Sequence, residues 1–255
     1  MSDQLEPYVK STFQGGLQTI EFFHPSHNSL PGSVLKELQD SIMKAGRDES
    51  VHLILLKSGG ERTFCAGASF DELIAIETEE TGKEFFMGFA NVINAIRTCG
   101  KVVIGRVQGK TVGGGVGLAS AVDYCLATKY ASFRLSELAV GIGPFVIGPA
   151  VTRKVGVSQF SHLSITPNQW QTAEWGKDHN LYHKVFDSTD EMDTYIEEFT
   201  KELLTMNPQA LNQLKEVFWK GTEHWDSLLA ERAEQSGKLV LSDFSKQSIS
   251  KFLNK

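Results

Sequence analysis

The chain opens with two segments rich in β-forming residues, residues 8–13 and 17–23, separated by Gln-Gly-Gly at positions 14–16. Glycine pairs of this kind adopt the tight turns that join antiparallel strands, so the pattern predicts a β-hairpin. After Pro31, apolar residues recur three and four positions apart, as on one face of a helix: Leu35, Leu38 and Ile42. An apolar run at residues 51–57 predicts the next strand, which gives the order ββαβ.

The middle of the chain combines one long helix with short apolar strands. Residues 77–82 are polar and predict a mobile connection before that helix. The helix has a wide apolar face, formed by Phe85, Phe86, Phe89, Val92, Ile93 and Ile96. Further strands are predicted at residues 102–107, 122–128 and 131–133. Because helices and loops separate these strands, the sequence predicts an α/β domain with covered sheets.

The second half of the chain is predicted to be mostly helical. The helical segments are residues 145–155, 158–165, 170–176, 189–206, 208–220 and 225–236. Residues 187–191 are typical of a helix N-cap, and Asn207-Pro208 is typical of a break followed by a new helix. We find no linker, low-complexity tract or repeat. This favours a main domain at residues 1–190 followed by a helical region at residues 191–255.

Charge and cysteine content exclude several classes of protein. The chain carries 25 basic and 31 acidic residues, and the basic residues are dispersed, whereas a nucleic-acid surface concentrates them. The three cysteines form no Cys-x-x-Cys pair, which fits a reducing compartment. The N-terminus lacks a signal-peptide pattern, and no apolar stretch approaches the ~20 residues that span a bilayer. We expect a soluble cytoplasmic protein with neither a nucleic-acid nor a membrane partner, and no metal site, because the histidines lack companions at ligand spacing.

A glycine-rich stretch at residues 113–120, Gly-Gly-Gly-Val-Gly-Leu-Ala-Ser, follows the predicted strand at residues 102–107. Glycines let a backbone turn sharply and approach a ligand closely, because no Cβ intervenes. The small residues predict a buried helix whose unpaired N–H groups and positive dipole end favour negative charge. The spacing matches neither the Gly-x-Gly-x-x-Gly dinucleotide motif nor a P-loop. By itself, this stretch is typical equally of a binding site and of a close helix contact.

Two other segments point to a family. Residues 64–73, Phe-Cys-Ala-Gly-Ala-Ser-Phe-Asp-Glu-Leu, again place small residues before a helix, and residues 133–138 are Phe-Arg-Leu-Ser-Glu-Leu. Together with residues 113–120 and Asn28, they have the order and spacing of the enoyl-CoA hydratase/isomerase (crotonase) superfamily, which the chain resembles nearly end to end. The resemblance implies a spiral of ββα units and a C-terminal helical region that assembles homotrimers, two of which form a hexamer.

The resemblance also implies a chemistry. The expected substrate is an acyl-CoA thioester, and because coenzyme A belongs to the substrate, no separate cofactor is expected. Matching the motifs places two backbone N–H donors for the thioester oxygen at Ala68 and Gly114, and an acid/base carboxyl at Glu137. Such donors stabilise an enolate more than the ground state. The other residues expected to contact the coenzyme A or acyl group are Ala66, Gly67, Gly113, Gly117, Phe252 and Lys255.

Gly117 departs from the superfamily pattern, because typical hydratases carry a second catalytic glutamate at that position. Gly117, Leu-Ser-Glu at residues 135–137 and the segment at residues 141–149 resemble the methylglutaconyl-CoA and isohexenylglutaconyl-CoA hydratases. That resemblance implies a branched or dicarboxylic enoyl-CoA, for whose carboxylate Arg134 and Arg153 are candidate partners.

Three alternatives stay open. A Δ3,Δ2-enoyl-CoA isomerase needs only one shuttling carboxylate, which Glu137 supplies. The 3-hydroxyisobutyryl-CoA hydrolases share the glycine loop but have a different context around their glutamate. The third alternative is an inactive acyl-CoA-binding subunit that has kept the fold without the chemistry.

Overall fold

A computed structural model describes the backbone of residues 6–253 and the side chains of residues 6–251. The first part of the chain forms β1 (Tyr8–Gln14), β2 (Leu17–Phe23), β3 (Ser29–Leu30), α1 (Gly32–Arg47), β4 (Leu53–Ser58), β5 (Thr63–Cys65), β6 (Gly67–Ala68), α2 (Phe70–Ile74), α3 (Glu79–Thr98), β7 (Val102–Val107), β8 (Lys110–Val112) and α4 (Gly114–Ala121).

The second part of the chain is mainly helical. It forms β9 (Tyr124–Thr128), β10 (Phe133–Arg134), a 3₁₀ helix (Glu137–Val140), α5 (Gly148–Ile165), α6 (Ala173–Asp178), β11 (Lys184–Phe186), α7 (Thr189–Leu203), α8 (Pro208–Phe218), α9 (Trp225–Val240) and α10 (Asp243–Leu253). None of the described helices is long and apolar enough to cross a membrane.

Two larger sheets and one two-stranded sheet organise the described elements. A six-stranded sheet has the order β1-β2-β4-β7-β9-β11, in which only the β1-β2 hairpin is antiparallel. A three-stranded parallel sheet has the order β10-β8-β5, and β3 pairs with β6. The predicted α/β class is therefore confirmed. The hairpin turn has positive φ at both Gly15 and Gly16, as a type I′ turn requires.

The α3 helix begins earlier than its sequence pattern indicates. Thr78 and Thr81 form a reciprocal capping box, in which each side chain accepts a hydrogen bond from the backbone N–H of the other. The prediction of a mobile connection at residues 77–82 is therefore wrong for residues 79–82, which form the first turn of α3. The fixed N-terminus of α3 matters because its apolar face forms a wall of the cavity described below.

The α9 helix crosses α3 at two glycines. A Cβ added at Gly82 would lie 2.8 Å from the Gly237 Cα, and one at Gly237 would lie 2.7 Å from the Lys83 nitrogen. Only glycine permits this backbone approach, so the C-terminal helices pack closely on the first half of the chain. The division into two regions at residue 190 stays a prediction.

Several boundaries differ from those predicted. The predicted segment at residues 145–155 begins as a helix only at Gly148, and the expected break after residue 155 is a kink at Gly156, where φ is +80°. The predicted helix at residues 170–176 is shifted to α6, and α9 runs four residues beyond its predicted end at residue 236. The sequence analysis missed β11 and α10 altogether.

A buried ion pair joins α8 to the six-stranded sheet. Lys215 Nζ lies 2.6 Å from Asp123 Oδ2, and both side chains are only 2% exposed. The Trp219 indole N–H donates to Asp123 Oδ1 at 2.7 Å, and the Val103 N–H donates to Oδ2 at 2.7 Å. Asp123 is thereby satisfied by one cation and two neutral donors, which is the condition under which a buried charge is tolerated.

We predict that Lys215→Met lowers the free energy of unfolding by about 3–5 kcal/mol, because it leaves the Asp123 carboxylate buried without its counter-charge. Urea denaturation of the purified protein measures this loss. The matched control is Lys36→Met, since Lys36 pairs with Asp40 in a setting where the side chains are 64% and 59% exposed. The control should cost less than about 1 kcal/mol; equal losses in the two variants would contradict the role of the buried pair.

Candidate active site

Three parallel strands bring the predicted site residues together. β5, β8 and β10 end at Cys65, Val112 and Arg134, and they pair in parallel. Because the carboxyl ends of parallel strands lie at one edge of the sheet, the segments that follow them meet there. These segments carry Ala68, the glycine-rich stretch at residues 113–120, and Glu137.

Glycines with positive φ, a backbone conformation that other residues rarely adopt, lie where the loops meet. Gly113 has φ +53°, and a Cβ added there would lie 3.1 Å from Glu137 Oε1. Gly67 has φ +93°, and its added Cβ would lie 3.7 Å from the Gly114 nitrogen. A Cβ at Gly114 would lie 2.6 Å from the Phe89 ring. The loop at Gly67, the loop at Gly113 and Gly114, and the Glu137 carboxyl therefore surround one small space.

The α4 helix begins at the same place. Gly114 is its first residue, so the Gly114 N–H has no acceptor within the helix. The following residues of α4, Gly115 to Ala121, are all buried. The helix therefore presents its positive end and free N–H groups toward the space between the loops, where an anionic oxygen is favoured.

Hydrogen bonds from residues 28–30 hold the loop that carries Ala68. The buried Asn28 side chain accepts from the His24 N–H and donates to the Gly59 and Thr63 carbonyl oxygens. The Ser29 hydroxyl donates to the Ala68 carbonyl oxygen at 2.9 Å, and the Ser69 N–H donates to the Leu30 carbonyl oxygen. These bonds fix the backbone at residues 66–69 relative to the sheet.

A cavity of about 330 Å³ opens between the loops, α3 and the 3₁₀ helix. Most of its lining is apolar and includes Phe70, Leu73, Phe85, Phe86, Phe89, Val140, Ile142, Phe145 and Ile147. Its polar side chains are those of Arg134, Ser136, Glu137, Asn168 and Ser236. The aromatic residues of α3 therefore belong to the core and also line this cavity, whose size and lining suit a small, largely apolar ligand.

Glu137 is the carboxylate that lines the cavity. Its Oε2 atom is buried and has no hydrogen-bond partner among the described residues. Burial raises the pKa of this carboxyl to about 7, against a smaller opposing effect of backbone N–H groups at Glu137 and Ser136. A carboxyl with such a pKa exchanges a proton readily at neutral pH, as general acid–base catalysis requires.

Gly117 lies behind the cavity wall. It is not among the cavity-lining residues, and a Cβ added there would lie 2.4 Å from Ile147 Cγ2, while Ile147 itself lines the cavity. The side chain of Ile147 therefore occupies the space into which a glutamate at position 117 would extend. The predicted contact of Gly117 with substrate stays a prediction.

The structure separates the two candidate arginines. Arg134 lines the cavity and its guanidinium stacks on Trp170, with Cζ 4.7 Å from the ring centroid. Arg153 lies elsewhere, at α5, where it donates to the Phe218 carbonyl oxygen and stacks on Trp219. Arg134 alone of the two can meet a ligand in this cavity.

The predicted residues Ala66, Gly67, Ala68, Gly113, Gly114 and Glu137 all line the one cavity. Lys255 and the side chain of Phe252 lie outside the described residues. Sequence reasoning missed Asn168 and Ser236, since no local pattern marks either position.

Cys65 is not a candidate nucleophile, because burial raises the pKa of its thiol to about 12. Among residues 6–251, no group of three His, Cys, Asp or Glu side chains is placed to hold a metal ion.

Comparison with known proteins agrees with this geometry. The sequence model of the family described as Enoyl-CoA hydratase/isomerase matches residues 12–255. The chain is 27% identical to a short-chain-enoyl-CoA hydratase of Clostridium acetobutylicum, over 89% of this chain and 87% of that protein. It is also 27% identical to a peroxisomal Δ(3,5)-Δ(2,4)-dienoyl-CoA isomerase of Arabidopsis thaliana, over 78% of this chain and 76% of that protein.

The fold matches as well. The crystal structure of an enoyl-CoA hydratase from Bacillus halodurans superimposes with a TM-score of 0.88 at 21% identity, covering 96% of this chain and 99% of that chain. The expected crotonase-type fold is thereby confirmed. Because the family's sequence model extends over nearly the whole chain, this protein belongs to the enoyl-CoA hydratase/isomerase (crotonase) family of enzymes.

Proposed function

We propose that the protein is an enoyl-CoA hydratase in which Glu137 is the one catalytic carboxylate and the N–H groups of Ala68 and Gly114 bind the thioester oxygen. The observation that carries this proposal is the Oε2 atom of Glu137, which is buried without a partner in a cavity that Ala68 and Gly114 also line. An unpartnered buried carboxyl is costly to stability, so its position is best explained by catalysis.

The two amides would act on charge that develops during the reaction. When a nucleophile adds to the β-carbon of an enoyl thioester, negative charge moves to the thioester oxygen and an enolate forms. Donors aimed at that oxygen lower the barrier, and losing one such donor typically costs ~3–4 kcal/mol. The location of Gly114 at the N-terminus of α4 adds the helix dipole to this stabilisation.

Glu137 would transfer the proton in both halves of the reaction. As a carboxylate, it takes a proton from water while the water oxygen bonds to the β-carbon. The π electrons of the double bond move to the enolate, and protonated Glu137 then delivers the proton to the α-carbon. The product is a 3-hydroxyacyl-CoA, Glu137 returns to its starting form, and no cofactor other than the substrate's own coenzyme A takes part.

The finer substrate assignment is a branched or dicarboxylic enoyl-CoA, such as 3-methylglutaconyl-CoA. It is supported by the similarity of residues 135–137 and 141–149 to that branch and by the cationic Arg134 in a cavity otherwise mainly apolar. Ala66, Gly67 and Gly113 would contact the coenzyme A or acyl portion, as would Phe252 and Lys255. A cytoplasmic location also stays a prediction.

One observation favours a second function, Δ3,Δ2-enoyl-CoA isomerisation. Ile147 fills the space beside Gly117 where typical hydratases hold a second carboxylate. A single carboxylate suffices to move a proton between C2 and C4 of an enolate. In this reaction Glu137 removes the C2 proton and returns it to C4, with the same oxyanion donors.

We further propose a homotrimer, or a hexamer of two trimers. The α8 helix supports an interface, since its apolar residues Leu214, Val217 and Phe218 are 46%, 66% and 42% exposed in the single chain. They lie three and four positions apart, so they share one face of the helix. An exposed apolar face of this kind is typical of a subunit contact.

We predict that Glu137→Gln lowers kcat with crotonyl-CoA or a 3-enoyl-CoA by about 10²–10⁴-fold, because the amide cannot accept and return a proton. The thioester absorbance follows both substrates: hydration removes the conjugated double bond, whereas isomerisation creates it. The matched control is Glu174→Gln, an exposed carboxylate of α6. An unchanged rate in Glu137→Gln would remove Glu137 from the mechanism.

We predict that kcat/KM for hydration falls about tenfold per pH unit below about pH 7. The sign follows because the reaction starts from ionised Glu137, and burial raises the pKa of this group to about 7. A pH–rate profile with crotonyl-CoA measures the inflection. An inflection near 4.5, the ordinary value for a glutamate, would show that the working carboxyl is not buried.

We predict that sedimentation equilibrium gives three or six times the chain mass of 28.2 kDa. Leu214→Asp should shift this mass toward the monomer, because it places a charge in the proposed α8 contact. The control is Lys36→Asp, at an exposed side chain of α1. A wild-type protein that stays monomeric at micromolar concentration would contradict the proposal.

A further inference from the structure

We infer that Arg134, held against Trp170, binds a carboxylate carried by the acyl portion of the substrate. This inference rests on the proposed function, because it assigns a substrate class to the same cavity. The substrate would be an enoyl-CoA whose acyl group ends in, or is branched by, a carboxylate. Arg134 would then determine specificity, while Glu137 and the two amides carry out the reaction.

The first observation is that Arg134 has no anionic partner among the described residues. Its Nε atom is buried and makes no hydrogen bond. Arg134 as a whole is half-buried, and the two arginines that are buried, Arg97 and Arg106, are both paired: Arg97 Nη2 lies 2.8 Å from Asp226 Oδ1, and Arg106 donates to Asp193 through both Nε and Nη2. Burial without a compensating anion also lowers the pKa of Arg134. A cation in this condition gains from the arrival of an anion.

The second observation is where Arg134 lies. Arg134 is the last residue of β10. It lines the same cavity as Glu137, which follows three residues later in the chain. Glu137 does not supply the missing anion, because the two residues form no ion pair and burial keeps the pKa of Glu137 raised. A ligand whose double bond lies at Glu137 therefore occupies a cavity that Arg134, a cation without an anionic partner among the described residues, also lines.

The third observation concerns the shape of the Arg134 guanidinium and its contact with Trp170. The Arg134 Cζ atom lies over the Trp170 ring, 4.7 Å from its centroid, so a cation–π contact holds the guanidinium at this ring. A guanidinium presents parallel N–H groups that match the two oxygens of a carboxylate. Lys110 Nζ lies 5.4 Å from the centroid of the same ring and adds positive charge at the exposed side. The arrangement suits a planar, singly charged acid.

The direct test compares two substrates that share the reacting double bond. Crotonyl-CoA ends in a methyl group, and glutaconyl-CoA replaces one hydrogen of that methyl with a carboxylate. The expected result for Arg134→Gln is a tenfold or greater fall in the ratio of kcat/KM for glutaconyl-CoA to that for crotonyl-CoA. Arg134→Lys should lose part of this ratio, because it keeps the charge without the paired N–H groups.

Arg153→Gln is the matched control, since Arg153 is also stacked on a tryptophan but lies outside the cavity. It should leave the substrate ratio unchanged. An equal loss with both substrates in Arg134→Gln would overturn the inference and assign the residue to a phosphate of coenzyme A. A ratio unaffected by Arg134→Gln would overturn it as well.

Binding without turnover separates this inference from the proposed function. Calorimetry compares glutaryl-CoA with butyryl-CoA, which have no double bond to hydrate. Tighter binding of glutaryl-CoA that is lost in Arg134→Gln supports carboxylate recognition even when neither enoyl-CoA is converted. Equal affinities in the wild-type protein contradict carboxylate recognition, and they leave a measured hydratase activity standing.

Discussion

The candidate site depends on the close approach of two stretches of backbone, one at Gly67 and the other at Gly113 and Gly114. The parallel strands β5 and β8 of the small sheet bring these stretches together, and positive φ at Gly67 and Gly113 lets the backbone turn where they meet. The proposed oxyanion donors are main-chain groups, so their geometry is set by strand pairing and by glycine conformation. The site is therefore as rigid as the sheet that carries it.

Asp123 and Glu137, two carboxylates with buried oxygen atoms, illustrate opposite outcomes. Asp123 is satisfied by Lys215, Trp219 and the Val103 N–H, and this network helps to fix α8 on the large sheet. Glu137 has a buried oxygen without a partner, and burial raises its pKa from 4.5 to about 7. A raised carboxyl pKa means that stability declines as pH rises from about 4.5 to about 7, by about 3 kcal/mol in total. At neutral pH, the fold carries this cost at the position where chemistry is proposed.

Sequence reasoning worked best where a local pattern carries the information. The spacing of Leu35, Leu38 and Ile42 marks α1, and all three side chains are buried. The glycine and alanine motifs place Ala68, Gly114 and Glu137 in the chain, and the structure brings them to one cavity. These features depend on neighbours in sequence or on turns that only glycine adopts.

The remaining features depend on contacts between distant parts of the chain. The strand β11 has only three residues, which is too few to show an alternation of apolar and polar positions. It forms because β9 pairs with it. Arg134 and Arg153 are equivalent candidates in the sequence, and tertiary structure alone places one of them in the cavity. Likewise, nothing near Ile147 in the sequence indicates that it packs against Gly117.

The contact between Gly117 and Ile147 limits how this enzyme could be converted into one with two catalytic carboxylates. Glutamate at position 117 alone would collide with Ile147, and a smaller residue at position 147 alone would leave a void in the wall. The two substitutions are therefore coupled. Glutamate at position 117 is harmful while Ile147 is present, a smaller residue at position 147 is harmful while Gly117 is present, and the two changes are compatible only when they are made together. We therefore expect any passage from the proposed one-carboxylate site to a site with two carboxylates to go through a destabilised single variant, unless both positions change together.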